Sequence, residues 1–158
     1  MSELSWTLPV VGEDEEGKRL LTPEEVWRGL LRKAENPVPF IAGITDCRVL
    51  ERHEDGLLRE ITVAGRAKAR ERAVFHDRRL MVFHQLDDPY LAEIRNEIGH
   101  DGQGATTLTI RVVLSAEGKA KGEQDASFVA STAQYFGGIV QPIIDTIVRM
   151  REELTPRA

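Results

Sequence analysis

The chain has 158 residues, of which 41% are hydrophobic and 30% are charged, and its net charge is −5. This length suits one domain with a sizeable core, so we predict a single domain over residues 1–158. No apolar run approaches the roughly 18 residues that cross a bilayer, which excludes a helical membrane span. The negative net charge argues against a nucleic-acid partner, because such binding depends on neutralising phosphates.

The cysteine content and the motifs limit where in the cell the protein works and which kinds of site it can contain. The only cysteine, Cys47, cannot form an internal disulfide and fits a reducing compartment. The N-terminal stretch has neither the basic nor the apolar region of a secretory signal, so we expect a cytoplasmic protein. The histidines lack metal-site spacing, and no phosphate-binding glycine loop or nucleophile elbow is present. We therefore expect no metal and no cofactor, and assign no catalytic residue.

The N-terminal third predicts a strand, an acidic loop and one well-marked helix. Residues 4–11 alternate in polarity, and the acidic loop GEDEEGK follows. Thr22, Pro23 and Glu25 form the signature of a helix start with a capping box. The helix ends before Pro37, and Pro39 keeps the connection extended.

The rest of the chain predicts six strands and a long final helix. Strands are expected at about 44–53, 57–64, 66–76, 79–87, 91–100 and 105–115, joined by turn-length connections typical of an antiparallel meander. The apolar face of residues 124–154 predicts a helix of up to roughly 30 residues. A short helical turn is expected near residues 40–43. The predicted fold is α+β: a seven-stranded antiparallel sheet whose apolar face the final helix covers.

Three segments carry a resemblance to a known family: LTPEEVWRGLLRKAENPVPFI, CRVLERHEDGLLREI and NEIGHDGQGATTLTI. In these, and above all in Asn-Pro-x-Pro-Phe and Gly-Leu-Leu-Arg-Glu, the chain resembles the AtaL-like branch of the SRPBCC superfamily (START-like or birch-pollen-allergen-like proteins). The resemblance implies a helix-grip fold, in which a curved sheet wraps a long C-terminal helix around an internal cavity. Members of the superfamily bind apolar small molecules there, and include lipid carriers, cyclases and co-chaperones.

Strand parity predicts a charged row on the apolar face of the sheet. A hairpin centred on Gly65 places Arg59 opposite Glu71, and a three-residue loop at 54–56 places Glu51 beside Arg59. Such a row is costly to bury unless its members hydrogen-bond well. It is therefore either a polar anchor for the headgroup of a ligand or an ion cluster that satisfies itself.

Other candidates for ligand contact lie on both sides of the expected cavity. Asn96 interrupts an apolar row next to Ile110, either to contact a ligand or to bond to nearby backbone. Three alanines on one strand face leave volume for a cavity. In the helix-grip fold the segment after the first helix becomes a lid, with Phe40 facing the ligand. The remaining candidates are Phe83 on the sheet and Tyr135, Phe136 and Ile139 on the final helix.

These observations leave three functions open. The first is binding of an apolar or aromatic small molecule, lipid- or polyketide-like, by a monomer or homodimer. The second is a cyclase-, aromatase- or hydrolase-type enzyme acting on such a ligand, with Glu71 or Glu51 as acid or base. The third is a co-chaperone-like module that uses the stripe Arg66, Lys68, Arg70 and Arg72 on the outer sheet face. An open cavity favours the first two, and a filled interior favours the third.

Overall fold

A computed structural model describes residues 2–14 and 17–154 of the chain. Its strands are β1 (Glu3–Pro9), β2 (Val11–Asp14), β3 (Gly17–Leu20), β4 (Ile44–His53), β5 (Gly56–Val63), β6 (Ala67–His76), β7 (Leu80–Gln85), β8 (Leu91–His100) and β9 (Thr106–Leu114). Its helices are α1 (Pro23–Glu35), α2 (Ala116–Gln124) and α3 (Ala126–Leu154).

Seven strands form one antiparallel sheet, and the long helix α3 covers one of its faces. The strand order is β1-β9-β8-β7-β6-β5-β4, while β2 and β3 form a separate pair. The helix α3 packs against α1, β1 and β9, and we call the sheet face toward it the inner face. This is the α+β helix-grip architecture that the sequence predicted. No helix within the described ranges is both long and apolar enough to cross a membrane.

The first helix begins and ends where its sequence signals place it. The Glu25 amide donates to the Thr22 hydroxyl at 3.1 Å, and the Thr22 amide donates to the Glu25 carboxylate at 3.0 Å. This capping box satisfies two amides that a helix start otherwise leaves without partners. At the other end, the Asn36 amide donates to the Arg32 carbonyl and Pro37 follows, so α1 stops there.

The strand register confirms the predicted pairs at the centre of the sheet. Arg59 lies opposite Glu71, Ile61 lies opposite Ala69, and Asn96 lies opposite Ile110. Since directly opposite residues point to the same face, Arg59 and Glu71 meet as expected.

The pairing predicted for Glu51 is wrong. The β4–β5 hairpin turns on two residues, with His53 opposite Gly56, and not on the predicted three-residue loop. The two-residue turn sets Glu51 opposite Leu58, and the register then shifts between Val49 and Glu51, where a bulge sets Val49 opposite Arg59. Consequently Val49, and not Glu51, neighbours Arg59.

Three local elements differ from the expectation. The acidic loop is mostly paired, as β2 and β3, although its residues 15 and 16 lie outside the described part. The expected helical turn at residues 40–43 is a pair of turns in which the Phe40 and Ile41 amides both donate to the Pro37 carbonyl. Finally, α3 is preceded by a separate helix, α2, and Asp125 divides the two because it leaves helical geometry and its carboxylate accepts from Ser127.

Candidate functional site

A cavity of about 600 Å³ lies between the inner face of the sheet and α3. Apolar side chains from both sides form most of its wall, among them Ile61 and Ile94 from the sheet and Phe136 and Ile139 from α3. This volume is within the range of small-molecule sites, roughly 300–1,000 Å³. The interior is therefore open, and it has the size and lining of a pocket for an apolar ligand.

A buried ion pair lies at one end of the cavity. Arg59 is 2% exposed and Glu71 is 4% exposed. The Arg59 Nε and Nη2 atoms donate to Oε1 of Glu71 at 3.0 and 2.7 Å. The other Glu71 oxygen accepts from the Gln85 amide at 2.7 Å. Both carboxylate oxygens of Glu71 thus already have protein partners.

Arg59 also closes the C-terminus of α1. Its Nη1 atom donates to the carbonyl oxygens of Lys33 and Ala34 at 2.9 and 3.0 Å. These carbonyls belong to the last turn of the helix, where no intrahelical donor remains for them. The guanidinium therefore ties α1 to β5, and most of its hydrogen-bonding capacity is used within the protein.

Beside this pair lies a second basic side chain, Lys33, to which no carboxylate of the described residues is bonded. It is 3% exposed, and its Nζ donates to Oδ1 of Asn96 at 3.1 Å. The same Nζ lies 4.4 Å from the ring centre of Phe83, and Cζ of Arg59 lies 4.5 Å from that centre. Asn96 is completely buried, and its Nδ2 has no hydrogen-bond partner in the part of the chain that the structure describes. Both Lys33 and Asn96 line the cavity.

Burial changes the acid–base behaviour of Lys33. The pKa of its amine is lowered from 10.5 to about 7, mainly by loss of hydration and secondly by the positive charge of Arg59. The Glu71 carboxylate acts in the opposite direction and raises the pKa of the amine. Lys33 therefore changes its charge near neutral pH.

The other end of the cavity reaches the surface. Its wall there includes exposed residues of β6 and of the β7–β8 connection, such as Lys68 and Pro89. On the helix side Tyr135 is 43% exposed, and its ring stacks edge-on against Phe136 at 4.9 Å. Burial raises the pKa of the Tyr135 phenol, and the Glu71 carboxylate raises it further. We call this end the mouth and the Lys33 end the closed end.

The profile of one protein family, described as AtaL, acetylaranotin biosynthesis cluster protein L, matches residues 5–154. The chain belongs to the AtaL family. No curated protein matches this AtaL-family chain in sequence.

Solved structures share the fold of this AtaL-family protein at low sequence identity. A START superfamily protein from Mycobacterium smegmatis is 15% identical with a TM-score of 0.61, covering 98% of this chain and 100% of that one. The Zhui aromatase/cyclase from Streptomyces sp. R1128 is 14% identical with a TM-score of 0.60, covering 96% and 93%. The di-domain aromatase/cyclase StfQ from the steffimycin biosynthetic pathway is 11% identical with a TM-score of 0.68, and the match covers 96% of this chain but 51% of StfQ. These similarities show the fold.

Most residues proposed from the sequence meet at this cavity. The cavity wall includes Arg59, Glu71, Asn96, Phe83, Tyr135, Phe136 and Ile139.

Two proposed residues do not line the cavity of the AtaL-family protein. Glu51 is exposed, because the two-residue turn places it opposite Leu58 and outside the row of Arg59, and its ionic partner is His53 at 3.8 Å. Phe40 is 2% exposed and lies in the hydrophobic core, since the turns after Pro37 wind it inward. Its neighbours Ile41 and Ile44 line the cavity in its place.

Two polar residues beside the Arg59–Glu71 pair were missed in the sequence. Lys33 lies in the last turn of α1, where a cation suits the helix dipole, yet it follows Val26 and Leu30 at the i, i+4, i+7 spacing of one helix face, which is the apolar one. Gln85 lies opposite Glu71 on the next strand, so strand parity places it in the same row. The helix spacing of Lys33 and the strand parity of Gln85 are both visible in the sequence. Using them means assigning a polar residue to an apolar face.

Proposed function

We propose that this AtaL-family protein binds an apolar or aromatic small molecule, lipid- or polyketide-like, in the cavity between its sheet and α3. The observation that carries the proposal is the open cavity of about 600 Å³, apolar along its length and polar at its closed end. A pocket of this kind orients a ligand by a few polar contacts and holds it by apolar burial.

The cavity also helps to choose between a small-molecule function and a co-chaperone-like function. A co-chaperone-like module acting through the outer face has no use for an open interior, so the cavity favours a small-molecule function. The stripe on that face is also partly engaged, because Arg70 pairs with Asp87 at 2.9 Å. We therefore assign the function to the inner face.

The binding proposal is tested with the neutral fluorescent probe N-phenylnaphthylamine. We expect saturable binding of one probe per chain, and its loss in Ala69→Phe, which places a ring on the cavity wall. Thr62→Phe is the matched control, because Thr62 is next to the cavity residue Ile61 and points to the opposite sheet face. Absence of saturable binding to the wild type, or equal binding by both variants, would contradict the proposal.

The natural ligand is sought by native mass spectrometry of protein purified gently from its own host. A small molecule bound to wild-type protein and missing from Ala69→Phe would identify it. Recovery of ligand-free protein alone would count against a carrier that retains its cargo.

A cyclase- or aromatase-type enzyme is the second candidate. It is favoured by the buried amine of Lys33, whose pKa of about 7 suits a general base at neutral pH. Glu71 is the weaker candidate, since both of its oxygens accept hydrogen bonds from Arg59 and Gln85. The aromatase/cyclase structures named above share this fold, which makes ring closure of a linear polyketone the reaction to assay.

Turnover distinguishes the enzyme from the carrier. An enzyme should convert a linear polyketone faster than buffer does, and Lys33→Met should abolish that rate while probe binding persists. A wild-type rate equal to that of Lys33→Met would exclude this role for Lys33.

A further inference from the structure

The strongest unexplained feature of the molecule is the pair of hydrogen-bond donors at the closed end. Protonated Nζ of Lys33 has three N–H donors, and its one hydrogen bond within residues 2–14 and 17–154 goes to Oδ1 of Asn96. Nδ2 of Asn96 is buried, and no acceptor from these residues bonds to it. Buried donors without acceptors are rare in folded proteins, and such a group calls for an explanation.

The orientation of the Asn96 amide is determined by its neighbour. If the amide were turned around while Lys33 is protonated, its NH₂ group would face the donor Nζ of Lys33, and both groups would lack an acceptor. Beside protonated Lys33 the oxygen of Asn96 therefore stays on Nζ, and its NH₂ group stays available. Lys33 and Asn96 both line the cavity, and Nζ bonds to Oδ1 of Asn96 at 3.1 Å, so the two donor groups lie side by side in its wall.

The charges at the closed end do not balance when Lys33 is protonated. Protonated Lys33 and Arg59 are both cations, and among the described residues Glu71 is the carboxylate that interacts with the Lys33 amine. That carboxylate is bonded to Arg59 and Gln85. A negatively charged acceptor in the cavity would balance the charge of Lys33.

We propose that Lys33 and Asn96 bind the carboxylate group of the ligand, so that the protein selects carboxylic acids with an apolar body. This inference rests on the proposed function, and it specifies the chemistry of the ligand. The carboxylate accepts from Nζ and Nδ2, while the apolar body extends along the cavity toward Tyr135 at the mouth. Arg59 and Glu71 position this site, because Arg59 holds the last turn of α1 through the Lys33 carbonyl.

Binding of a carboxylate at this site depends on pH. The charged or ionisable groups that face the amine are Arg59 from β5 and Glu71 from β6, while β7 contributes Phe83, β8 contributes Asn96, and α3 contributes Tyr135 near the mouth. Since the amine titrates at about 7 in the empty cavity, affinity for an anion should fall as the pH rises beyond that value. The ligand carboxylate itself stays ionised there.

The experiment compares naphthoate with naphthamide, its uncharged analogue of nearly the same shape, by isothermal titration calorimetry. At about pH 6 we expect naphthoate to bind about tenfold or more tightly than naphthamide, the effect of a buried charge pair. Between about pH 6 and about pH 9 that preference should shrink by at least about tenfold, while naphthamide affinity stays constant.

Variants assign the preference to the closed end. Lys33→Met and Asn96→Leu should both lose the preference for naphthoate and still bind naphthamide. Lys68→Met is the matched control, since it removes a lysine from the exposed mouth of the same cavity, and it should keep the preference. The pH dependence of the wild type tests the proposal even if a variant fails to fold.

Four results would overturn the inference. Equal affinity of the wild type for both probes would refute it and leave the cavity-binding function standing. A preference that survives Lys33→Met, or one that disappears in Lys68→Met, would refute the assignment to Lys33. Failure of both probes to bind the wild type would refute the inference and the proposed function together.

Discussion

At the scale of single residues, the closed end of the cavity contains two buried basic groups, Arg59 and Lys33, that differ in how their charge is compensated. Arg59 is surrounded by acceptors from β6 and α1, so its burial is compensated. Lys33 is buried beside it with one amide oxygen and an aromatic ring as partners. Each ion taken out of water loses several kcal/mol of hydration. The hydrogen bonds of Arg59 compensate for this loss, whereas the partners of protonated Lys33 compensate for less of it.

The stability of the protein should therefore depend on pH through Lys33. With a folded pKa of about 7 and an ordinary pKa of 10.5, the unfolded chain binds one proton more than the folded chain between these values. The free energy of unfolding consequently rises with pH across this window. We expect Lys33→Met to be more stable than the wild type by about 1–4 kcal/mol at about pH 6, and to lack this rise.

Urea denaturation across the pH range measures this difference, and Lys68→Met controls for the loss of a surface lysine. The same slope in the wild type and in Lys33→Met would show that the Lys33 amine is not desolvated.

Replacement of Arg59 should lower the free energy of unfolding, whereas replacement of Lys33 should raise it. Arg59→Met leaves the Glu71 carboxylate buried without its cation, and we expect a loss of about 3–5 kcal/mol in the free energy of unfolding. The double variant with Glu71→Leu removes both charges and should recover part of this loss. Guanidinium denaturation measures each value, and Arg70→Met, which breaks an exposed pair, should cost far less. A double variant no more stable than Arg59→Met would refute the buried-pair account.

At the scale of elements, the position of α1 relative to α3 is set by a glycine. A side chain carbon on Gly29 would lie 2.7 Å from Cγ1 and 2.8 Å from Cγ2 of Ile147, closer than atoms of packed side chains come. The absence of a side chain at Gly29 thus lets the two helices approach, and this approach holds Lys33 over the cavity.

Two alanine substitutions test this helix contact. Gly29→Ala should lower the free energy of unfolding by about 1–3 kcal/mol, because the added carbon overpacks the contact. Gly138→Ala, with nothing within 4 Å of the added carbon, should be neutral or raise that energy by up to about 1 kcal/mol. Thermal unfolding monitored by circular dichroism compares the two variants. An unchanged free energy of unfolding in Gly29→Ala would mean that α1 has room to move away from α3.

The elements also show which parts of the fold the sequence could predict. Local signals sufficed for α1, whose capping box is complete within four residues, and for β4 and β8, whose predicted bounds match the structure. The register between β5 and β6 could be predicted, because the turn at Gly65 that joins them is short. The register between β4 and β5 could not, because the turn has two residues and not the predicted three, and because a bulge in mid-strand leaves no signature in the polarity pattern. Lys33 was missed and Phe40 was misplaced, since their surroundings come from distant segments of the chain.

At the scale of the whole molecule, the free energy of unfolding should depend on whether the cavity holds a ligand. A ligand that binds only the folded chain raises the free energy of unfolding by about 2.7 kcal/mol at a concentration of 100 Kd. For a chain of this length, each kcal/mol shifts the melting temperature by about 2–4 °C. Saturating N-phenylnaphthylamine should therefore raise the melting temperature by roughly 5–10 °C, and Ala69→Phe should show no such shift. A shift of equal size in Ala69→Phe would place the probe outside the cavity.

The unpaired amide of Asn96 has a consequence for the life of the protein in a cell. An empty closed end leaves a buried donor without an acceptor, so the empty chain opens more often than the filled one. Degradation acts on opened chains and follows their population when opening is fast. Empty copies would then be removed sooner than filled ones, and the abundance of the protein would follow the supply of its ligand.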